Sequence, residues 1–314
     1  MNKSINKIST INMSREVWLE HRRLSIGGSD AASIIGLNAW CSPYTVWAEK
    51  LGKLPPQEDN ERMRLGRDLE DYVAKRFTEK TGKKVRRENS IITNPQYPFA
   101  HANVDRMVVG EDAGLECKTT SVLNLKKFKN GNYPEHYYVQ CVHYLAVTGC
   151  KKWYLGVLVL GEGFYDFEIE RDEGEINALM ESEEAFWKYV EDKTPPPTDG
   201  QQSTTDTISI LYPESTDETV SLFGYDTDLK TYMALSAQIK ALTAQKDEVA
   251  NKIKSFMNEA GKGESDLYRV SWTSSERNTF DSKRFASEHK DIDLSSYYKK
   301  STYRTFKVSE KSGT

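Results

Sequence analysis

The segment Ala102-Asn103-Val104-Asp105-Arg106-Met107-Val108-Val109-Gly110-Glu111-Asp112-Ala113-Gly114-Leu115-Glu116-Cys117-Lys118-Thr119-Thr120 decides how the chain is read. Two short runs rich in apolar and β-branched residues, 102–109 and 114–120, flank a Gly-Glu-Asp-Ala-Gly turn, which is a hairpin signal. Side chains alternate along a strand, so Glu116 and Lys118 share one face while Leu115 and Cys117 point the other way, into a core. Asp105, on the partner strand, reaches the Glu116 face. An acid pair plus a lysine at one sheet edge is a hard-cation site with a proton-handling group beside it.

That set suits phosphodiester hydrolysis. Mg²⁺ prefers carboxylate and carbonyl oxygens and keeps several waters, so Asp105, Glu116 and the Cys117 carbonyl can hold it with positions open for substrate. The metal polarises the scissile phosphate and acidifies water, while Lys118 orients that water and stabilises growing negative charge. A lone acid–x–lysine pattern is also ordinary surface charge on a strand, so the reading depends on companions. Glu70, in Gly66-Arg67-Asp68-Leu69-Glu70, offers an acid from a second element or is a solvated helix charge. Gln140 and Tyr144 lie four residues apart on one face of the next helix, either as site groups or as helix-surface and core-edge residues. Arg22 and Ser29 bracket Gly27-Gly28, where a helix start favours an anion or a simple inter-helix turn is made.

Outward from the hairpin, Ser14 caps a helix beginning Arg15-Glu16-Val17-Trp18, and a new helix starts at Ser29 or Asp30. Pro43–Leu51 is a short helix. Arg62–Lys80 is a longer one, with Leu65, Leu69, Val73 and Phe77 every fourth residue and Gly82 as its stop. After the hairpin come a helix over Pro134–Thr148, strands over Trp153–Leu160 and Phe164–Glu170, and a helix over Glu173–Asp192. This order implies an α/β fold with a central mixed β-sheet flanked by helices.

The Pro195-Pro196-Pro197 run marks a boundary. The expected domains are a nuclease core over 12–197, a linker over 198–225 and a C-terminal extension over 226–314. The extension carries Leu229, Met233, Ile239, Leu242, Val249, Ile253 and Phe256 near heptad spacing, predicting a long helix, as one arm of a coiled-coil-like hairpin or a brace on the core. Tyr268–Lys307 is aromatic and β-prone.

Composition narrows the class. At 38% hydrophobic and 29% charged the chain reads as soluble and globular, with no apolar run long enough to span a bilayer and no signal-peptide core, so a cytoplasmic location is expected. Four cysteines without a CxxC pair argue against a zinc site or disulfide framework. The net charge of −4 does not announce a nucleic-acid binder, yet basic residues crowd 62–87, Lys126, Lys127 and Lys129, and Lys299, Lys300, Arg304 and Lys307.

Taken in chain order, Trp18…Arg22…Ile26-Gly27-Gly28-Ser29-Asp30, Gly66…Glu70, Asn103-Val104-Asp105, Glu116-Cys117-Lys118 and Gln140…Tyr144 resemble the PD-(D/E)XK nuclease superfamily. More closely they resemble its phage-type exonucleases, the YqaJ-like viral recombinases related to lambda exonuclease. Val104 stands where the superfamily's proline would be. The resemblance covers about the first 200 residues and implies a restriction-endonuclease-like core. It further implies a 5′→3′ exonuclease on double-stranded DNA ends, dependent on Mg²⁺ with Mn²⁺ as a substitute, that feeds single strands to an annealing protein during phage recombination. By position it makes Asp105, Glu116 and the Cys117 carbonyl metal ligands, Lys118 the catalytic lysine, Glu70 the helical acid and Gln140 the active-site glutamine. Arg22 and Ser29 match residues that hold a terminal 5′-phosphate, with Tyr144 beside them. Relatives can form a ring-shaped trimer threaded by DNA. The competing readings are a restriction-type endonuclease, a Cas4-like iron–sulfur exonuclease, and a non-catalytic DNA-binding scaffold. The iron–sulfur type needs clustered cysteines that Cys41, Cys141 and Cys150 do not supply.

Overall fold

A computed structural model describes residues 5–56, 58–299 and 302–311. Lys300 of the third basic group and residues 1–4 lie outside the described residues. The chain divides into two compact units, Met1–Tyr212 and Pro213–Thr314.

The first unit opens with β1 (Asn6–Ser9), α1 (Arg15–Arg23), β2 (Ile26–Gly27), α2 (Gly28–Ile34), α3 (Pro43–Lys50) and α4 (Glu61–Thr81). It continues with β3 (Val85–Arg87), β4 (Ser90–Thr93), β5 (Ala100–Asn103), β6 (Arg106–Val108) and β7 (Ala113–Ser121). It closes with α5 (Glu135–Thr148), β8 (Lys152–Leu160), β9 (Gly163–Glu170), α6 (Glu173–Glu191) and α7 (Gln202–Leu211). The helix ends follow their capping chemistry: Ser14 accepts from the Val17 amide, Asn60 accepts from the Met63 amide, and Gly82 closes α4 in the left-handed region at φ 72°.

Two sheets form the β layer. A five-stranded sheet runs β3-β6-β7-β8-β9, mixed because only β7 and β8 are parallel. A four-stranded sheet runs β1-β4-β5-β2. The parallel pair requires a crossover, which α5 supplies. Every residue of α5 from Val139 to Thr148 is buried, so it is a core helix packed between the β layer, α2 and α6. The expected α/β architecture with a mixed sheet and flanking helices is present.

Three expectations need correction. The run 102–109 is not one strand: it breaks at Val104-Asp105, with β5 in the four-stranded sheet and β6 in the five-stranded one. Asn6–Ser9, ahead of the expected core start at residue 12, pairs antiparallel with β4. The stretch expected as a linker holds α7, and Thr45 of α3 binds both the Ser203 carbonyl (3.1 Å) and the Thr207 hydroxyl (2.9 Å). Polar threonines buried in pairs give no apolar periodicity, which hides such a helix from pattern reading.

The second unit holds α8 (Asp226–Met257), β10 (Lys262–Glu264), β11 (Arg269–Ser271) and α9 (Ser282–Glu288). The long helix is there, but no second long helix follows it among the described residues, so it is not an arm of a helical hairpin. Among the described residues of the β-prone stretch 268–307, only β11 is a strand, paired with β10. Among the described residues no helix is long and apolar enough to cross a membrane.

Candidate active site

Glu116 and Lys118 lie on one face of β7, a strand paired on both edges, while Leu115 on the other face is fully buried. Asp105 sits not on a hairpin strand but at the bend where the chain passes from one sheet to the other. Its Oδ2 accepts a hydrogen bond from the Cys117 amide at 2.8 Å, which pins the acid beside β7. From α5, Gln140 reaches in: its Nε2 donates to Glu116 Oε1 at 2.8 Å and its Oε1 accepts from Lys118 Nζ at 2.9 Å. Lys118 Nζ lies 2.6 Å from the same Glu116 oxygen. The Tyr137 ring lies 5.2 Å from that ammonium and adds a cation–π contact.

The charges are crowded and dry. Burial, then the Glu116 and Glu70 carboxylates, push Asp105 well above the ordinary carboxylate range. Burial alone would lower Lys118, but the neighbouring Glu116 carboxylate outweighs it and holds the ammonium above the usual lysine range. Glu116 Oε2 is buried with no hydrogen-bond partner. An orphaned carboxylate oxygen beside a second strained carboxylate fits a hard divalent cation. Among the described residues no three His, Cys, Asp or Glu side chains form a metal cluster. Such a cation would therefore be held by Asp105, Glu116, a backbone carbonyl such as that of Cys117, and water, which is how Mg²⁺ is usually bound. The Cys117 thiol itself is pushed up by burial and is a poor ligand.

Glu70 is brought near this cluster, but through Arg106. Arg106 is 4% exposed and donates to Glu70, to Asp71 at 2.6 Å and to the Asp105 carbonyl at 2.6 Å. It follows Asp105 directly in the sequence, yet nothing in the pattern of Val104-Asp105-Arg106 distinguishes a buried arginine from an exposed one.

The second group assembles at the Gly-Gly turn. Arg22 Nη2 donates to Ser29 Oγ at 2.7 Å, and its guanidinium lies 4.8 Å from the centre of the Trp18 ring. Lys50 staples this corner from below: Nζ pairs with Asp30 at 2.6 Å and donates to the carbonyls of Arg22 (2.7 Å) and Ser25 (2.8 Å). Asp30 in turn accepts from the Gly27 amide at 2.9 Å. Burial works against this charged Asp30, yet Lys50 and Arg22 hold it far below the usual carboxylate range.

The two groups touch through one ring. Tyr144, only 4% exposed, lies under Gly28, where an added Cβ would stand 2.6 Å from its Cε1. Its hydroxyl accepts from Gln140 Nε2 at 2.8 Å. Tyr144 is thus a buried support rather than a surface contact. A further buried pair anchors the same helix: His143 Nδ1 meets Glu183 Oε1 at 2.8 Å, and Nε2 meets the His101 carbonyl at 2.9 Å. Neither the His143–Glu183 pair nor Lys50–Asp30 carries a sequence signal beyond its residue type.

The basic segments separate into two kinds. Arg64, Arg67, Lys75, Arg76, Lys80, Lys83, Arg86 and Arg87 are each ion-paired with a carboxylate. Lys126, Lys127 and Lys129, just beyond β7, are exposed, and no ion pair engages them among the described residues.

The family model of the YqaJ-like viral recombinase domain matches residues 17–151. The YqaJ protein of Bacillus subtilis strain 168 is 39% identical over 304 residues, 95% of either chain. Among solved structures, an alkaline exonuclease from Laribacter hongkongensis superposes with a TM-score of 0.49 at 22% identity, covering 57% of this chain and 93% of its own. A phage-related exonuclease from Haemophilus somnus 129PT gives 0.44 at 15%, covering 56% and 97%.

Proposed function

The chain belongs to the YqaJ-like viral recombinase family, and from that premise we propose that it is a divalent-metal-dependent DNA exonuclease working 5′→3′ on double-stranded ends. The observation that carries this reading is the orphaned Glu116 oxygen beside Asp105, with Lys118 and Gln140 hydrogen-bonded across it. In this reading Asp105, Glu116 and the Cys117 carbonyl would hold Mg²⁺, or Mn²⁺ in its place. When bound, the cation supplies positive charge against the scissile phosphate. Lys118, held charged, stabilises negative charge at the phosphate and orients the attacking water. Gln140 ties Lys118 and Glu116 together with one hydrogen bond to each. Glu70 acts through Arg106, which braces the Asp105 backbone.

Arg22 and Ser29 receive the terminal 5′-phosphate, with Tyr144 setting the height of the turn above Gln140. Lys126, Lys127 and Lys129 offer unneutralised charge to the duplex backbone. The single strand left behind passes to an annealing protein, and copies ringed around the duplex would account for processive digestion.

The test is digestion of linear duplex DNA with Mg²⁺ by the wild type and by Glu116→Gln and Lys118→Met. Loss of activity in both variants, faster digestion of 5′-phosphorylated than 5′-hydroxyl ends, and survival of covalently closed circles are expected. Circles cut as fast as linear DNA would favour a restriction-type endonuclease. Wild-type inactivity with every divalent metal would leave a DNA-binding scaffold.

A further inference from the structure

The second unit presents a feature that nuclease chemistry does not use. Along the whole of α8 only Met257 is buried. Leu229 and Met233 are partly covered, whereas a second stripe of apolar residues is open to solvent. Ile239 and Ile253 occupy one position of its seven-residue repeat, and Leu235, Leu242 and Val249 the other. Ile239 is 65% exposed and Leu242 63%. The chain's own tail does not fill this seam: Phe306 meets Tyr232 edge-on at 5.3 Å near one end and stays 72% exposed.

We infer that this stripe is an antiparallel interface between two copies of the chain. Charge decides both the occupant and the direction. Two polar residues interrupt the stripe, Asp228 and Lys246. A parallel pair in register would set Lys246 against Lys246 and Asp228 against Asp228, two like-charge layers in a seam. An antiparallel pair centred between Ile239 and Leu242 removes both conflicts. Ile239 then faces Leu242 of the second copy, Leu235 faces Lys246, Tyr232 faces Val249, and Asp228 faces Ile253. Asp228 falls beside Lys252 of the second copy, and the Lys246 stem lies along Leu235 with its ammonium reaching solvent. Each stripe residue from 228 to 253 finds an opposite number with none left over, which is self-complementarity under a two-fold axis. At roughly 60–120 Å² for each buried side chain, the seam hides on the order of 800 Å² per copy, the size of a stable interface.

The test uses the full chain in solution. Sedimentation or light scattering of the wild type and of Ile239→Lys/Leu242→Lys should show the variant at half the mass, with helical circular dichroism retained. This holds whether the first unit is single or ringed. Orientation is read by oxidation of co-expressed Leu235→Cys and Lys246→Cys chains. A crosslinked pair should form from the mixture and not from either variant alone, because the antiparallel register sets 235 against 246 and separates like positions by about 16 Å, whereas a parallel register does the reverse. A wild type that runs as one copy, a mass indifferent to the lysines, or efficient self-crosslinking of Leu235→Cys would each overturn the inference.

Discussion

Replacing Gly28 by alanine tests the link between the Gly-Gly turn and the acid cluster. The new Cβ would stand 2.6 Å from Tyr144 Cε1, 2.9 Å from its Cζ and 3.2 Å from Gln140 Cγ. Carbon atoms pack at about 3.5–4.0 Å, so the ring must retreat by about 1 Å. It has little room, because the Trp153 ring lies 5.1 Å away and the His143 ring 6.0 Å away, centre to centre. Overpacking of this kind destabilises by about 1–3 kcal/mol. For a unit of this size each kcal/mol lowers the melting temperature by about 2–4 °C. The second effect is on turnover. A displaced Tyr144 pulls Gln140 from Glu116 and Lys118, and a hydrogen bond to a charged group contributes about 1.5–3 kcal/mol. Digestion of 5′-phosphorylated duplex should therefore slow on the order of 10–100-fold. Gly66→Ala is the control: no atom lies within 4 Å of its added Cβ in the middle of α4, so it should stabilise by about 0.5–1 kcal/mol. Thermal melts and timed digestion at a temperature where both variants are folded separate the two effects. A Gly28→Ala protein that melts with the wild type and digests at its rate refutes the packing argument. One that melts early yet keeps full turnover refutes only the link to Gln140.

Further expectations concern the end grip and the buried polar pairs. Arg22→Ala should slow engagement of 5′-phosphorylated ends by about ten- to a hundred-fold, as for loss of one charge-assisted contact, and leave 5′-hydroxyl ends little changed, read from initial rates on the two substrates. Glu183→Ala strands His143 in the core and should destabilise by about 3–5 kcal/mol in a denaturant titration, with Glu183→Gln milder; equal midpoints for wild type and alanine variant would contradict the pairing. His101 is pushed down to about 3 from an ordinary 6.5, by burial first and then by Lys50, so it stays neutral in the folded protein while the unfolded chain takes up a proton. Its contribution is complete above pH 6.5 and is lost as pH falls toward 3, at about 1.4 kcal/mol per pH unit. Stability profiles of the wild type and His101→Asn between pH 7 and 4 should therefore diverge in slope, and parallel profiles would sink the assignment. Asp30, held far below the usual range, adds nothing to that slope above about pH 4, where it is ionised in both states.

The elements with strong periodicity or punctuation were legible in the sequence. The stop at Gly82, the cap at Ser14 and the strand pair over 153–160 and 164–170 are local chemistry, and local chemistry is what a sequence displays. The break at Val104-Asp105 was not legible, because the residues on either side are equally strand-like and only the pairing partners differ. The same holds for the site. Glu116, Lys118, Gln140 and Asp105 are readable from alternation and spacing, and the structure brings them within hydrogen-bond reach of one another or of the same strand. Arg106, Lys50 and the His143–Glu183 pair owe their places to contacts across 20 to 42 residues of chain, and no spacing rule announces them.

The position of β8 bears on how this protein can be cut and exchanged. The shared family region ends at residue 151, one residue before β8 begins. Yet β8 pairs with β7 from Ala113↔Lys152 to Ser121↔Leu160, and Trp153, Leu155, Val157 and Val159 are fully buried. A fragment ended at 151 would bare the edge of the strand that carries Glu116 and Lys118 and invite aggregation. A fragment ended at the proline run would lose Thr204 and Thr207, both 2% exposed, and uncover α3 beneath them. The transplantable cassette, for a gene fusion or a swap between relatives, therefore runs to Tyr212.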